Sequence, residues 1–114
     1  MQKKLSPSPY VRDALGVFGA QVKFHRIERH LTQAQVGVRA GVSRYTVAQV
    51  EQGSPNITMG SAFAVAEAAG YPLFSSSGPQ EVGRFVDQLR KTVALMPSRV
   101  RPPTTRVKES DLDF

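Results

Sequence analysis

The chain has 114 residues, which bounds it to one small domain with appendages; 40% are hydrophobic and 21% charged, as in ordinary soluble proteins. It contains no cysteine, so disulfides and thiolate metal sites are excluded, and no apolar run reaches the length of a membrane span. The formal net charge of +6 suits an acidic partner such as nucleic acid or an anionic surface.

The basic excess gathers at the ends. Lys3, Lys4 and Arg12 stand without an acid in residues 1–12, as do Arg99, Arg101, Arg106 and Lys108 in residues 99–108. The first five residues lack an apolar segment behind their lysines, so no secretory signal is expected, and a cytoplasmic location fits the lack of cysteine.

Residues 1–10, polar and proline-rich, read as a flexible basic arm. Ser8-Pro9 is a plausible helix start. Val11, Leu15, Phe18, Val22 and Ile27 keep helical spacing, so a first helix is expected from about Val11 to Arg29. Gly16 and Gly19 weaken it by up to ~1 kcal/mol each, for which close packing or a break near Gly16 would account.

Thr32 is a good N-cap for a second helix, Gln33 to Ala40, ended by Gly41. Ser43 caps a third, Arg44 to about Gln52, ended by Gly53. Val36, Val42, Val47 and Val50 should hold this pair together, leaving Arg44, Tyr45, Ala48 and Gln49 outside. Thr58 caps a fourth helix, Met59 to Ala69, with Gly70 as its stop.

Tyr71-Pro72-Leu73-Phe74 is short and apolar and reads as a strand, for which a second copy of the chain is the simplest partner. Ser75 to Gly78 is a flexible joint. A fifth helix follows, from Pro79 or Gln80 to Leu95, with an apolar stripe of Val82, Phe85, Val86, Leu89 and Val93. That stripe can pack on its own domain, on a dimer mate or on another protein. Residues 97–114 read as a disordered tail, with Leu112 and Phe114 as a small terminal anchor.

The fold class expected is therefore all-α: a five-helix helix-turn-helix domain with a short strand after the fourth helix, a C-terminal helix and a disordered tail. The domain boundaries are 1–10 for the arm, 11–70 for the helix-turn-helix domain, 71–96 for a dimerisation or partner-binding segment and 97–114 for the tail. Tyr71, Leu73 and Phe74 join the apolar stripe of the fifth helix as dimer or partner residues.

Chemistry concentrates between Leu31 and Gly53. Two short helices joined by a glycine-bearing turn can place the second helix in a DNA major groove. Arginine matches guanine O6 and N7, glutamine matches adenine by the same two-point logic, and tyrosine can meet a thymine methyl or a phosphate. Arg44, Tyr45 and Gln49 can project to one side of the third helix. Gln33 and Ser43 lie at helix N-termini, where exposed N–H groups favour phosphate oxygens, and Arg39 is a further phosphate candidate. A plain αα-hairpin with a solvated polar face fits the composition equally well. An enzyme is not expected: His25 and His30 lie five apart on a helix, and neither metal-ligand spacing nor a phosphate-cradling glycine loop occurs.

Against that background, Arg26, Leu31-Thr32-Gln33, Ala40-Gly41-Val42-Ser43-Arg44, Thr46-Val47 and Glu51-x-Gly53 resemble the phage repressor/Cro (XRE-type) helix-turn-helix family, ungapped over the motif. The resemblance implies base reading by Arg44, Tyr45 and Gln49, phosphate contact by Gln33, and support from Ser43 and Thr46. It also implies a structural ion pair between Arg26 and Glu51. Gly37 departs from the alanine usual at its position. The loop Pro55-Asn56, the fourth helix and the segment after Gly70 further resemble HipB-type antitoxins. That second likeness implies a homodimeric autorepressor of a double-stranded DNA operator that holds a HipA-like toxin kinase inactive; from the residues themselves no cofactor, metal or membrane is expected. A stand-alone XRE-type regulator without a toxin is the alternative.

Overall fold

The computed structural model describes residues 6–97. The described residues divide into two compact units that part between Gly78 and Pro79. The expectations for residues 1–5 and 98–114, including the bulk of the tail and its anchor of Leu112 and Phe114, lie outside the described residues.

The first unit contains four α-helices. Helix α1 spans Pro9–Glu28, α2 Gln33–Ala40, α3 Arg44–Glu51 and α4 Met59–Ala69. Each begins at a hydroxyl cap. Ser8 accepts the Val11 N–H, Thr32 that of Gln35, Ser43 that of Thr46 and Thr58 that of Ser61. Each cap satisfies one otherwise orphaned donor and contributes ~1 kcal/mol. Helix α1 starts two residues before the expected Val11, because Ser8 caps it and Pro9 fits the first turn without needing an N–H.

All four helices stop in the same way. One residue adopts a left-handed conformation, and two N–H groups turn back onto the last carbonyls, the Schellman arrangement. The pairs are His30 to Ile27 and Leu31 to Arg26, Gly41 to Val38 and Val42 to Gly37, Gly53 to Val50 and Ser54 to Gln49, and Gly70 to Glu67 and Tyr71 to Ala66. Three of the four left-handed residues are glycine; the fourth is His30, at φ 56°. A side chain there costs energy that glycine avoids.

The core is built from small side chains: Val22, Val36, Val47, Val50, Val65, Ala66 and Ala69 are buried. Phe18, Leu31, Val42, Ile57, Tyr71 and Leu73 pack around them. Small residues let helix axes approach closely, and Gly19 shows how closely. A methyl group added there would stand 2.6 Å from the Glu51 carbonyl oxygen and closer still to that of Val50. Close packing against α3 therefore accounts for Gly19, and α1 runs unbroken past Gly16. The helical spacing of α1 hides a second apolar face: Val11 and Ile27, which share that spacing with buried Val22, are both exposed.

No strand forms at Tyr71–Phe74. The chain instead makes a single 3-10 turn over Leu73–Ser75, with Phe74 and Ser75 both left-handed. The cause lies in contacts that a strand would break. The Tyr71 ring meets Phe18 edge-on at 5.7 Å, its hydroxyl donates to Gln21 Oε1 at 2.6 Å, and the Phe74 ring meets Phe63 edge-on at 5.9 Å. Pro72, moreover, has no N–H for a strand ladder.

The second unit contributes one helix among its described residues, α5, spanning Pro79–Ala94. Its apolar stripe of Val82, Phe85, Val86, Leu89 and Val93 follows the expected spacing, and none of its residues is fully buried. Among the described residues no helix is long and apolar enough to cross a membrane.

Candidate nucleic-acid interface

Helices α2 and α3 form the site, and local sequence explains the angle between them. Thr32 and Gln35 close a full capping box: Thr32 Oγ1 accepts the Gln35 N–H at 3.0 Å, and Gln35 Oε1 accepts the Thr32 N–H at 2.8 Å. That leaves the N–H groups of Gln33 and Ala34 directed out of the helix end. At the other end Gly41 turns left-handed, Val42 tucks under, and Ser43 starts α3. Gly37 lies where this turn presses on α2. A Cβ there would be 2.8 Å from the Val42 carbonyl oxygen, so the glycine permits an approach that the usual alanine would obstruct.

Helix α3 turns Val47, Val50 and Glu51 inward. The opposite face carries Tyr45 and Gln49, expected to read bases, while Arg44 lies to one side of them in the first turn, in line with Glu51. Arg44 and Tyr45 are exposed, Tyr45 by 70%, while Gln49 and Ala48 are half-buried. Exposed Gln52 falls on the same face, one turn beyond Gln49 and seven residues beyond Tyr45. Read from sequence, Gln52 is only a helix end; its place on the face follows from the 45, 49, 52 spacing. The outward surface is thus a row of donors and acceptors around one ring, flanked by one guanidinium.

Ser43 and Thr46 are occupied with each other. Their hydroxyl oxygens lie 3.0 Å apart while Ser43 Oγ also accepts the Thr46 N–H at 3.1 Å. Arg39 is exposed in the last turn of α2.

Behind this surface lies a charged network richer than a simple pair. Arg26 Nε and Nη2 donate to the two oxygens of Glu51 at 2.6 and 3.1 Å, and Arg26 Nη1 donates to the Leu31 carbonyl at 2.8 Å. Gln33 Nε2 adds a bond of 3.1 Å to Glu51 Oε1. One carboxylate therefore ties α1, α2 and the end of α3 together, with side-chain exposures of 11% for Arg26 and 3% for Glu51. Gln33, expected from resemblance as a phosphate contact, spends one amide hydrogen inside this network and keeps the other, besides its backbone N–H, for a ligand.

His25 packs its ring against Phe24 and Tyr71 at 5.5 and 5.4 Å, and His30 is exposed at the stop of α1. Neither adjoins the α3 face in sequence or in any hydrogen bond.

Comparison with known proteins gives two results. No curated protein and no solved structure matches the chain. Residues 22–74 match the helix-turn-helix family model, a stretch that takes in the latter part of α1, all of α2, α3 and α4 and the turn after them.

Proposed function

We propose that the protein is a sequence-specific, double-stranded DNA-binding transcriptional repressor that acts as a homodimer. The observation that carries this reading is the α2–Gly41–α3 unit, a capped pair of helices that leaves Arg44, Tyr45 and Gln52 exposed with half-buried Gln49 among them. In the reading, α3 enters the major groove and Arg44, Tyr45 and Gln49 meet base edges. The free N–H groups at the start of α2, the Gln33 amide and Arg39 hold phosphates on the flanking strand. Ser43 and Thr46 fix the first turn of α3 and support the reading residues through their shared hydroxyl bond. Two copies on a palindromic operator would set their α3 helices about one helical turn of DNA apart, ~34 Å.

A refinement makes the repressor the antitoxin of a toxin–antitoxin operon, bound to a HipA-like kinase. The α5 stripe favours it, because an unburied row of valine, phenylalanine and leucine suits a protein partner. The expected strand at Tyr71–Phe74, which formed part of the likeness to HipB-type antitoxins, is replaced by a 3-10 turn. The reading adopted is accordingly the DNA-binding regulator, with the toxin partner as its extension and a stand-alone regulator as the alternative.

The test is a footprint of the purified chain on the DNA upstream of its own coding sequence. A protected palindrome whose affinity falls steeply with salt is the expected result. Equal affinity for every duplex tried, with no protected site, would refute sequence-specific repression. Co-purification with the product of an adjacent kinase-like gene tests the extension separately.

A further inference from the structure

The outer face of α1 is apolar where a solvated helix should be polar. Tyr10, Val17, Phe24 and Ile27 are 82%, 58%, 60% and 52% exposed, and Ala20 is exposed between them. Their spacing is that of a heptad. Tyr10, Val17 and Phe24 recur every seven residues, and Ala20 and Ile27 follow at the second apolar position, with Asp13 before them. A straight helix drifts only about 20° per heptad, so the stripe stays on one face over this length. The opposite face, with Gly19 and Val22, is the one that packs on the core.

We infer that this stripe is the surface by which two copies of the chain associate, as a parallel α1–α1 pair. The inference rests on the homodimer reading above and names its interface. Charge selects both the occupant and its direction. Lys23 lies on one flank of the stripe and Glu28 on the other, five residues later, the spacing that joins opposite flanks of parallel paired helices. Each is exposed, and among the described residues neither has an ion-pair partner within the chain. A parallel pair sets Lys23 of each copy against Glu28 of the other, twice by symmetry. An antiparallel pair brings like flanks together and leaves Lys23 and Glu28 without each other. Because α1 is already held helical by the core on its other face, association does not bear the cost of helix nucleation that makes short isolated coiled coils weak.

The chain has no cysteine, so a single introduced thiol reports the geometry. In a parallel, in-register pair residue 17 faces its own copy, so Val17→Cys in the full chain should oxidise to a disulfide-linked dimer. Val38→Cys, more exposed but on α2, should not. Phe24→Lys should raise the dimer dissociation constant on the order of a hundredfold in sedimentation equilibrium, because both copies lose an interfacial ring. Its circular dichroism and melting should stay those of a folded chain, since Phe24 lies outside the core. Lys23→Glu should weaken the dimer, and adding Glu28→Lys should restore it. If the wild type is dimeric but Val17→Cys forms no cross-link, or Leu89→Lys dissociates the dimer and Phe24→Lys does not, the α1 interface is overturned while the homodimer reading stands. A wild type that stays monomeric at all concentrations overturns both.

Discussion

Removing one partner of the Arg26–Glu51 network should cost the domain a large part of its stability. Glu51 is almost wholly enclosed and accepts three hydrogen bonds, two from Arg26 and one from Gln33. In Glu51→Leu the enclosed guanidinium keeps only its bond to the Leu31 carbonyl, and the Gln33 amide loses its acceptor. Breaking a buried pair in this way typically costs about 3–5 kcal/mol, against a total of about 5–15 kcal/mol for a whole small domain. At about 4–8 °C per kcal/mol for a domain of this size, even the lower figure lowers the melting temperature by roughly 12 °C or more. Arg26→Met should do similar damage from the other side. The double variant Arg26→Met/Glu51→Leu removes both charges, so it should regain most of the loss, because an apolar replacement leaves no unpaired ion. Urea denaturation of the four proteins measures the cycle. If Glu51→Leu costs under about 1 kcal/mol, or the double variant loses the sum of the two singles, the network does not hold the helices as argued.

Three further outcomes follow from particular contacts. Gly37→Ala and Gly19→Ala should each destabilise by about 1–3 kcal/mol through overpacking, against the gain of up to ~1 kcal/mol that alanine ordinarily brings to a helix; thermal melts decide the sign. His30→Gly should stabilise by about 1 kcal/mol, since its left-handed backbone is the one helix stop of the four without glycine, and an unchanged or lower melting temperature would refute the strain argument. Arg44→Ala should cost about 1–3 kcal/mol of discrimination at a single operator position, whereas Arg39→Ala should weaken binding to all sequences alike and lower the salt slope by about one; binding isotherms over a set of operator variants separate the two.

Most helix boundaries were legible because capping is local chemistry. A hydroxyl before an apolar run and a glycine after it mark α2, α3 and α4 at both ends, and the structure places Thr32, Ser43 and Thr58 and Gly41, Gly53 and Gly70 at those ends. The ion pair of Arg26 with Glu51 was legible only through family resemblance; nothing in the spacing of two residues 25 apart announces it. Its extension to Gln33 and Leu31 depends on how three helices meet, which no single segment encodes. Tyr71–Phe74 misleads because a four-residue apolar run has no period of its own. Its conformation is set by rings from distant parts of the chain, Phe18 and Phe63. Helix α1 misleads differently: with apolar residues on two faces, helical periodicity locates the helix but not its inside.

Helix α3 has eight residues and lies between two left-handed stops, Gly41 at φ 74° and Gly53 at φ 78°. Both ends are pinned, so its length cannot drift by fraying or extension. Every residue inserted into it would turn whatever follows by about 100° about the axis. Insertions and deletions would therefore rotate Gln49 and Gln52 out of phase with Arg44 and Tyr45, and would carry Val50 and Glu51 off the core at the same time. New operators should accordingly be reached by exchanging side chains along an α3 of constant length, with length variation diverted to the loop after Gly53.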